Sequence, residues 1–203
     1  MKVALTGGIA CGKSLLSNFL RELGVETIDA DDVVHELIPD PAERRRIAAE
    51  VFADPEKRRA LEAKIHPVVK ERIDRWFDRT NGTDATNGTG ACLGSPGGLG
   101  GPVRIAIIPL LFEAHWEKNF DIICCVVSSR EKQIERMMTT RGMTLAEAEA
   151  RLAAQMPVEE KARRSHYVIQ NDGTAEELRA EAQKLVAWLK SSTLQLKTPT
   201  TDS

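Results

Sequence analysis

No run of apolar residues in this chain approaches the roughly 18 to 20 that a membrane-spanning helix needs. Nothing resembles a signal peptide either: the first apolar segment starts at Lys2, and the segment after it carries Lys13, Arg21 and Glu22. Excess charge is missing too. Lys and Arg number 28 against 30 Asp and Glu, a formal net charge of -2, and the pI is near 6.1. That balance argues against non-specific binding to nucleic acid or to a membrane surface, and neither partner is expected. The four cysteines, Cys11, Cys92, Cys124 and Cys125, include no Cys-x-x-Cys pair and no Cys/His spacing suited to zinc. Free thiols of this kind suit a reducing compartment, so a cytoplasmic location is expected. There is also no Asn-Lys-x-Asp segment to read a guanine, which argues against a GTPase.

What is present is ordinary globular composition, 42% hydrophobic and 29% charged over 203 residues, enough for one sizeable core. Near the N-terminus, Gly7-Gly8-Ile9-Ala10-Cys11-Gly12-Lys13-Ser14 satisfies the pattern G-x-x-x-x-G-K-[ST]. The apolar run Lys2–Thr6 precedes it. After it, Leu15, Leu16, Phe19, Leu20 and Leu23 recur at helical spacing. Such a loop, between strand and helix, turns backbone N–H groups toward phosphate oxygens, and the helix adds the positive end of its dipole. Lys13 is placed to bridge the β- and γ-phosphates of a nucleotide, and the Ser14 hydroxyl to ligate Mg²⁺.

Further short apolar runs, at Val25–Ile28, Val103–Ile108, Phe120–Val127 and Tyr167–Ile169, alternate with helical patterns. The alternation predicts a three-layer α/β fold with a five-stranded parallel sheet. Ligands in such folds bind at the C-terminal ends of the strands, where the phosphate loop, "DADD" and "PLLFE" all fall. The middle of the chain reads as helices starting at Pro41 and at Pro55, the second kinked or divided at Pro67. The last helix is expected from about Thr174 to Leu189. Residues 80–102, with eight of the 14 glycines and the triplet Asn-Gly-Thr twice, read as a flexible insertion.

Three acids end the second strand: Asp29, Asp31 and Asp32. One suffices to cap the helix that follows, so at least one is available to receive the proton of an attacking hydroxyl. Glu113 falls just beyond the third strand, which carries no Asp at its end to position magnesium. Arg130, Arg136, Arg141 and Arg151 flank Gly142 in a helical region; two or three of them are expected to reach phosphate, the rest to pair with Glu on the surface. His66, before Pro67, is a candidate on the acceptor side; the other histidines read as surface or packing residues.

Taken together and in order, "LTGGIACGKS", "LGVETIDADDVV", "VFADPEKRRALEAKIHPVV", "IPLLFEAHW", "FDIICCVV", "Q…R…TRGMTLAEAEARLAAQMPVEEKARR" (the Q and R being Gln133 and Arg136) and "YVIQNDG" resemble the dephospho-coenzyme A kinase family. The resemblance implies a P-loop NTPase fold with a helical acceptor-binding subdomain and a helical lid. It implies transfer of phosphate from ATP, with Mg²⁺, to the ribose 3′-hydroxyl of dephospho-CoA. By that likeness Asp31 takes the hydroxyl proton, assisted by Lys13 and Arg141. Gly8, Ile9, Ala10, Cys11, Gly12, Lys13, Ser14 and Leu15 bind the nucleotide with Arg136 and Asn171, the latter near the base. Asp29, Asp31, His66 and Glu113 lie on the acceptor side. The expected organisation is one kinase domain over 1–192: a core of about 1–30, 103–130 and 165–190, an acceptor subdomain of about 31–79, the insertion 80–102 and a lid of about 131–164. Residues 193–203 are expected to be a disordered tail, and the protein a monomer. Residues 39–43 stand where the family has a longer segment. Two other readings follow from this: a related nucleotide kinase with a shortened acceptor domain, or a nucleotide-binding module without catalysis.

Overall fold

The apolar runs become five strands: β1 (Val3–Gly7), β2 (Glu26–Asp29), β3 (Arg104–Ile107), β4 (Ile122–Val127) and β5 (Tyr167–Gln170). They form one parallel sheet in the order β2-β3-β1-β4-β5 with helices on both sides, as the alternating pattern predicts. In the computed structural model, residues 1–79 and 103–195 are described; the Gly-rich insertion and the last residues of the chain lie outside them. Val3 of β1 sits opposite Ile105 of β3 on one side and Ile122 of β4 on the other. All residues of β1 and β4 are buried, as strands covered on both faces must be. Because β1 lies between β3 and β4, the chain leaves its C-terminal end in opposite directions, and a crevice opens there.

The helices are α1 (Lys13–Glu22), α2 (Ala30–Leu37), α3 (Pro41–Ala53), α4 (Pro55–Asp78), α5 (Arg130–Arg141), α6 (Leu145–Ala153), α7 (Val158–Arg163) and α8 (Ala175–Gln195). α1 and α8 pack on each other. Leu16 and Leu20 of α1 and Leu178 and Leu185 of α8 are buried in the core with Leu5 and Ile169. Burying each such side chain contributes roughly 1.5–3 kcal/mol. α7 lies on β1 and β4. Gly24, at φ 80°, turns the chain out of α1, and the Val25 N–H closes the turn on the Leu20 carbonyl at 3.0 Å.

The described chain divides into two compact units, Met1–Thr27 with Thr86–Ser203, and Ile28–Ala85. In the second, α4 packs against α2 and α3. Each helix begins on an aspartate: Asp29 caps α2, Asp40 caps α3, and Asp54 caps α4 by accepting from the N–H groups of Glu56 and Lys57 at 2.9 and 3.2 Å. Those backbone donors hold the Asp54 carboxyl below the usual carboxylate range.

One expectation is narrowed and one corrected. Of a kink or a division at Pro67, the division does not occur: one helix runs from Pro55 to Asp78. Proline there removes a single N–H from the ladder, and its exposed position leaves the orphaned carbonyl to water. α8 continues to Gln195 rather than ending near Leu189, so residues 193–195 are helical rather than part of a tail. Its start is as predicted. Thr174 N–H donates to Glu177 at 2.8 Å and Glu177 N–H to the Thr174 hydroxyl at 3.2 Å, a reciprocal cap.

Candidate nucleotide-binding site

The loop between β1 and α1 is shaped by backbone that only a few residues accept. Gly7 and Gly12 sit at φ 148° and 91°, and Ala10, although not a glycine, at φ 57°. A Cβ at Gly7 would meet the carbonyl of Val126, and one at Gly12 the side-chain amide of Asn171. Gly12 precedes α1 and offers no side-chain cap. The first N–H groups of α1 are therefore left for an anionic ligand. The Lys13 ammonium donates to the carbonyls of Gly7 and Gly8 at 3.0 and 2.8 Å. Ser14 and Leu15 are exposed at the start of the helix. Cys11 is buried; burial pushes its thiol up, against the pull of nearby Lys13.

Three side chains reach the loop from elsewhere in the same unit. Gln133 Nε2 donates to the Ile9 carbonyl at 2.7 Å and to the Cys11 sulfur at 3.2 Å. Arg136 Nη1 donates to the Ala10 carbonyl at 3.3 Å, and Asn171 Nδ2 to the Cys11 carbonyl at 2.8 Å. Arg136 also ties the ends of β4 and β5, donating to the Ser128 hydroxyl at 2.9 Å and to the Asn171 carbonyl at 2.8 Å. Ser128 in turn donates to the same carbonyl at 2.6 Å. Next to it, the Ser129 N–H donates to Asp172 at 2.7 Å and holds that carboxyl low. Arg136 and Asn171, expected beside phosphate and base, are thus placed against the loop's carbonyls. Arg141 is exposed in the last turn of α5, before Gly142 at φ 63°.

Glu113, beyond β3, accepts from the Met156 N–H at 3.1 Å and the Lys161 ammonium at 2.8 Å. Lys161 is fully buried and also donates to the Pro109 carbonyl at 2.8 Å. The second Glu113 oxygen, Oε2, is buried without a hydrogen-bond partner. The structure therefore places Glu113 against α7 and the segment that leads into it. Sequence reasoning missed Lys161 and Gln133. A signal existed for the first: Lys161 falls three residues after Val158, on the same helix face, and Val158 is buried against the sheet. For Gln133 the signal was its place in the Q…R that precedes "TRGMT" in the family likeness, which gives it no role; by residue type alone, a polar residue in a charged helix reads as solvated.

In the other unit, Asp29 is the acid that caps α2, accepting from the Asp31 N–H at 2.9 Å. Asp31 is exposed in the first turn of that helix, and His66 is half-buried in α4.

The sheet order, the loop and its basic groups define a P-loop kinase. A sequence model described as dephospho-CoA kinase matches residues 1–43 and 99–177. A dephospho-CoA kinase from Synechococcus sp. is 37% identical, with 90% of each chain covered. A protein of known structure from Thermus thermophilus is 30% identical, with a TM-score of 0.71 over 93% of this chain and 97% of that one. The structure of a dephospho-CoA kinase from Campylobacter jejuni shares the fold, at 23% identity and a TM-score of 0.64 over 95% and 100% of the two chains. The chain belongs to the dephospho-CoA kinase family. The family model leaves out residues 44–98.

Proposed function

We propose that this protein transfers the γ-phosphoryl group of ATP to the ribose 3′-hydroxyl of dephospho-CoA, giving coenzyme A in the final step of its synthesis. The observation that carries the reading is the complete phosphate loop, Gly7 to Ser14, set between β1 and α1 in a chain of this family. The loop N–H groups and the start of α1 receive the phosphates. The Lys13 ammonium, held by two neutral carbonyls, moves to the β- and γ-phosphate oxygens, whose charge makes them stronger acceptors.

Among the described residues no group of three or more His, Cys, Asp or Glu is arranged to hold a metal ion. That suits Mg²⁺, which keeps several waters and binds through substrate phosphates with few protein ligands. The Ser14 hydroxyl is the residue that would hold it. When bound, the ion neutralises charge on the transferring group.

Asp31 accepts the proton of the attacking hydroxyl, and Arg141 offsets negative charge at the moment of transfer. Asp29, Asp31 and His66 contact the acceptor, and Glu113 steadies the segment beyond β3 on that side. Arg136 and Asn171 complete the nucleotide site through the loop they hold, with Asn171 nearest the base. Helices between about 131 and 164 act as a lid that excludes water. No described helix is long and apolar enough to cross a membrane; the protein works in the cytoplasm as a monomer, with ATP and dephospho-CoA as its partners.

Steady-state phosphorylation of dephospho-CoA, compared with adenosine and nucleoside monophosphates, tests the reading. Preferred turnover of dephospho-CoA is expected, and absence of turnover overturns it. Asp31→Asn is expected to lower kcat by about two orders of magnitude or more while ATP affinity stays nearly constant. Unchanged turnover removes Asp31 from the base role.

A further inference from the structure

Three consecutive carbonyls of the phosphate loop each receive a different side-chain donor: Ile9 from Gln133 at 2.7 Å, Ala10 from Arg136 at 3.3 Å and Cys11 from Asn171 at 2.8 Å. A trans peptide is planar, with its C=O and N–H pointing in opposite directions. Holding these carbonyls therefore directs the next three N–H groups, those of Ala10, Cys11 and Gly12, to the opposite side of the loop. Successive N–H groups turned to one side make a concave anion site. The Cys11 N–H also makes a long contact, 3.4 Å, with the Gly8 carbonyl, which closes the turn. Ala10 at φ 57° is a conformation that surrounding contacts must impose, and the Arg136 bond to its carbonyl is one such contact.

Gln133 is central to this arrangement. It is 3% exposed, and its amide touches both the Ile9 carbonyl and the Cys11 sulfur. It also lies under Gly8, where an added Cβ would come within 2.5 Å of its Nε2 and 2.9 Å of the Cys11 sulfur. A neutral amide does this without adding negative charge beside the phosphates. A carboxylate at the same position would face a carbonyl oxygen and repel the ligand.

We infer that Gln133 is a positioning residue for the nucleotide: by fixing the Ile9 carbonyl, with Arg136 and Asn171 on the next two, it presets the loop N–H groups for the phosphates of ATP. The inference rests on reading this loop as the ATP site. Its effect falls on nucleotide affinity rather than on the acceptor, because among the described residues both bonds of its side-chain amide are to the loop.

The test is Gln133→Met, which keeps length and volume but cannot donate. The KM for ATP and the Kd for ADP, the latter by titration calorimetry, are expected to rise about tenfold, the range for losing one buried hydrogen bond. The KM for dephospho-CoA should stay within about twofold of the unaltered enzyme, inside the error of treating distant sites as independent. A lower melting temperature with unchanged KM for ATP and Kd for ADP overturns the proposal, since that is what a purely structural residue produces. If the Met variant does not fold, Gln133→Asn keeps the amide but falls one methylene short of Ile9, and the same two constants decide. Lys13→Ala, run in parallel, separates the two readings. Nucleotide affinity intact in Lys13→Ala refutes the assignment of the loop itself; affinity lost there but kept in both Gln133 variants refutes the positioning role alone.

Discussion

Lys161→Met tests how much the hidden ion pair beside the phosphate loop stabilises the fold. Lys161 has a side-chain exposure of 0%, and its ammonium lies 2.8 Å from Glu113 Oε1, whose side chain is 24% exposed. It also lies 2.8 Å from the Pro109 carbonyl. Methionine has nearly the same length and volume, so the change opens little cavity and isolates the electrostatic loss. A hydrogen bond to a charged group is worth about 1.5–3 kcal/mol. Stranding the partner of a fully buried pair costs about 3–5 kcal/mol. The partial exposure of Glu113 and its remaining bond from the Met156 N–H, at 3.1 Å, reduce the second figure. A net loss of about 2–3 kcal/mol is expected, which for a chain of this size lowers Tm by about 4–12 °C. Calorimetry on Lys161→Met, Glu113→Gln and the double variant gives the coupling. Each single change leaves one charge without its partner, so the double variant should lose about 1 kcal/mol or more less than the sum. A Tm shift under about 1 °C in Lys161→Met, or strict additivity, would refute the assignment of stability to this pair.

Burial pushes the thiols of Cys124 and Cys125 up from 9.0 to about 12. A raised pKa on a thiol means the fold favours the neutral form, so the contribution is intact below 9.0 and is lost as pH climbs toward 12. Stability measured by denaturant titration should fall across that interval, by up to about 1.4 kcal/mol per pH unit for each thiol; a flat profile would contradict the burial. Gly12→Ala and Gly142→Ala should diverge. Both residues have positive φ, but only at Gly12 does a Cβ run into another group, the Asn171 amide, while at Gly142 nothing lies within 4 Å. Gly142→Ala should keep nucleotide binding at a cost of about 1 kcal/mol in stability, whereas Gly12→Ala should lose ADP binding in calorimetry. Equal behaviour of the two would mean that the Asn171 contact does not constrain the loop.

Local patterns carried most of the architecture. The eight residues from Gly7 to Ser14 mark their own loop because the spacing of glycine, lysine and serine is itself the requirement for wrapping a phosphate. The reciprocal cap of Thr174 and Glu177 was legible for the same reason, since all its partners lie within one turn. Which of Asp29, Asp31 and Asp32 caps α2 was not legible: each is acceptable by type, and the backbone angle at Asp29, φ -105° and ψ 126°, decides. The partners of Lys161 and Gln133 were hidden because they lie tens of positions away in sequence, Pro109 and Glu113 for one, Ile9 and Cys11 for the other. Arg136 and Asn171 were singled out by motif, but a motif does not say that their donors face backbone carbonyls. Pro67 does not divide α4, because the long helix on either side tolerates one missing hydrogen bond.

The two adjacent cysteines of β4 have a consequence for following the protein's opening. Neighbours on a strand face opposite sides of the sheet. Cys124 shares its register position with Tyr167, whose ring stacks 4.9 Å from Trp188 of α8. Cys125 instead feels the charges of Lys161 and of the loop around Cys11 and Lys13. The pair is therefore a built-in set of isotope-label positions, one reporting on each covering layer. A pulse of alkylating reagent, read by mass after digestion, distinguishes detachment of α8 from detachment of α7 without introducing any foreign probe.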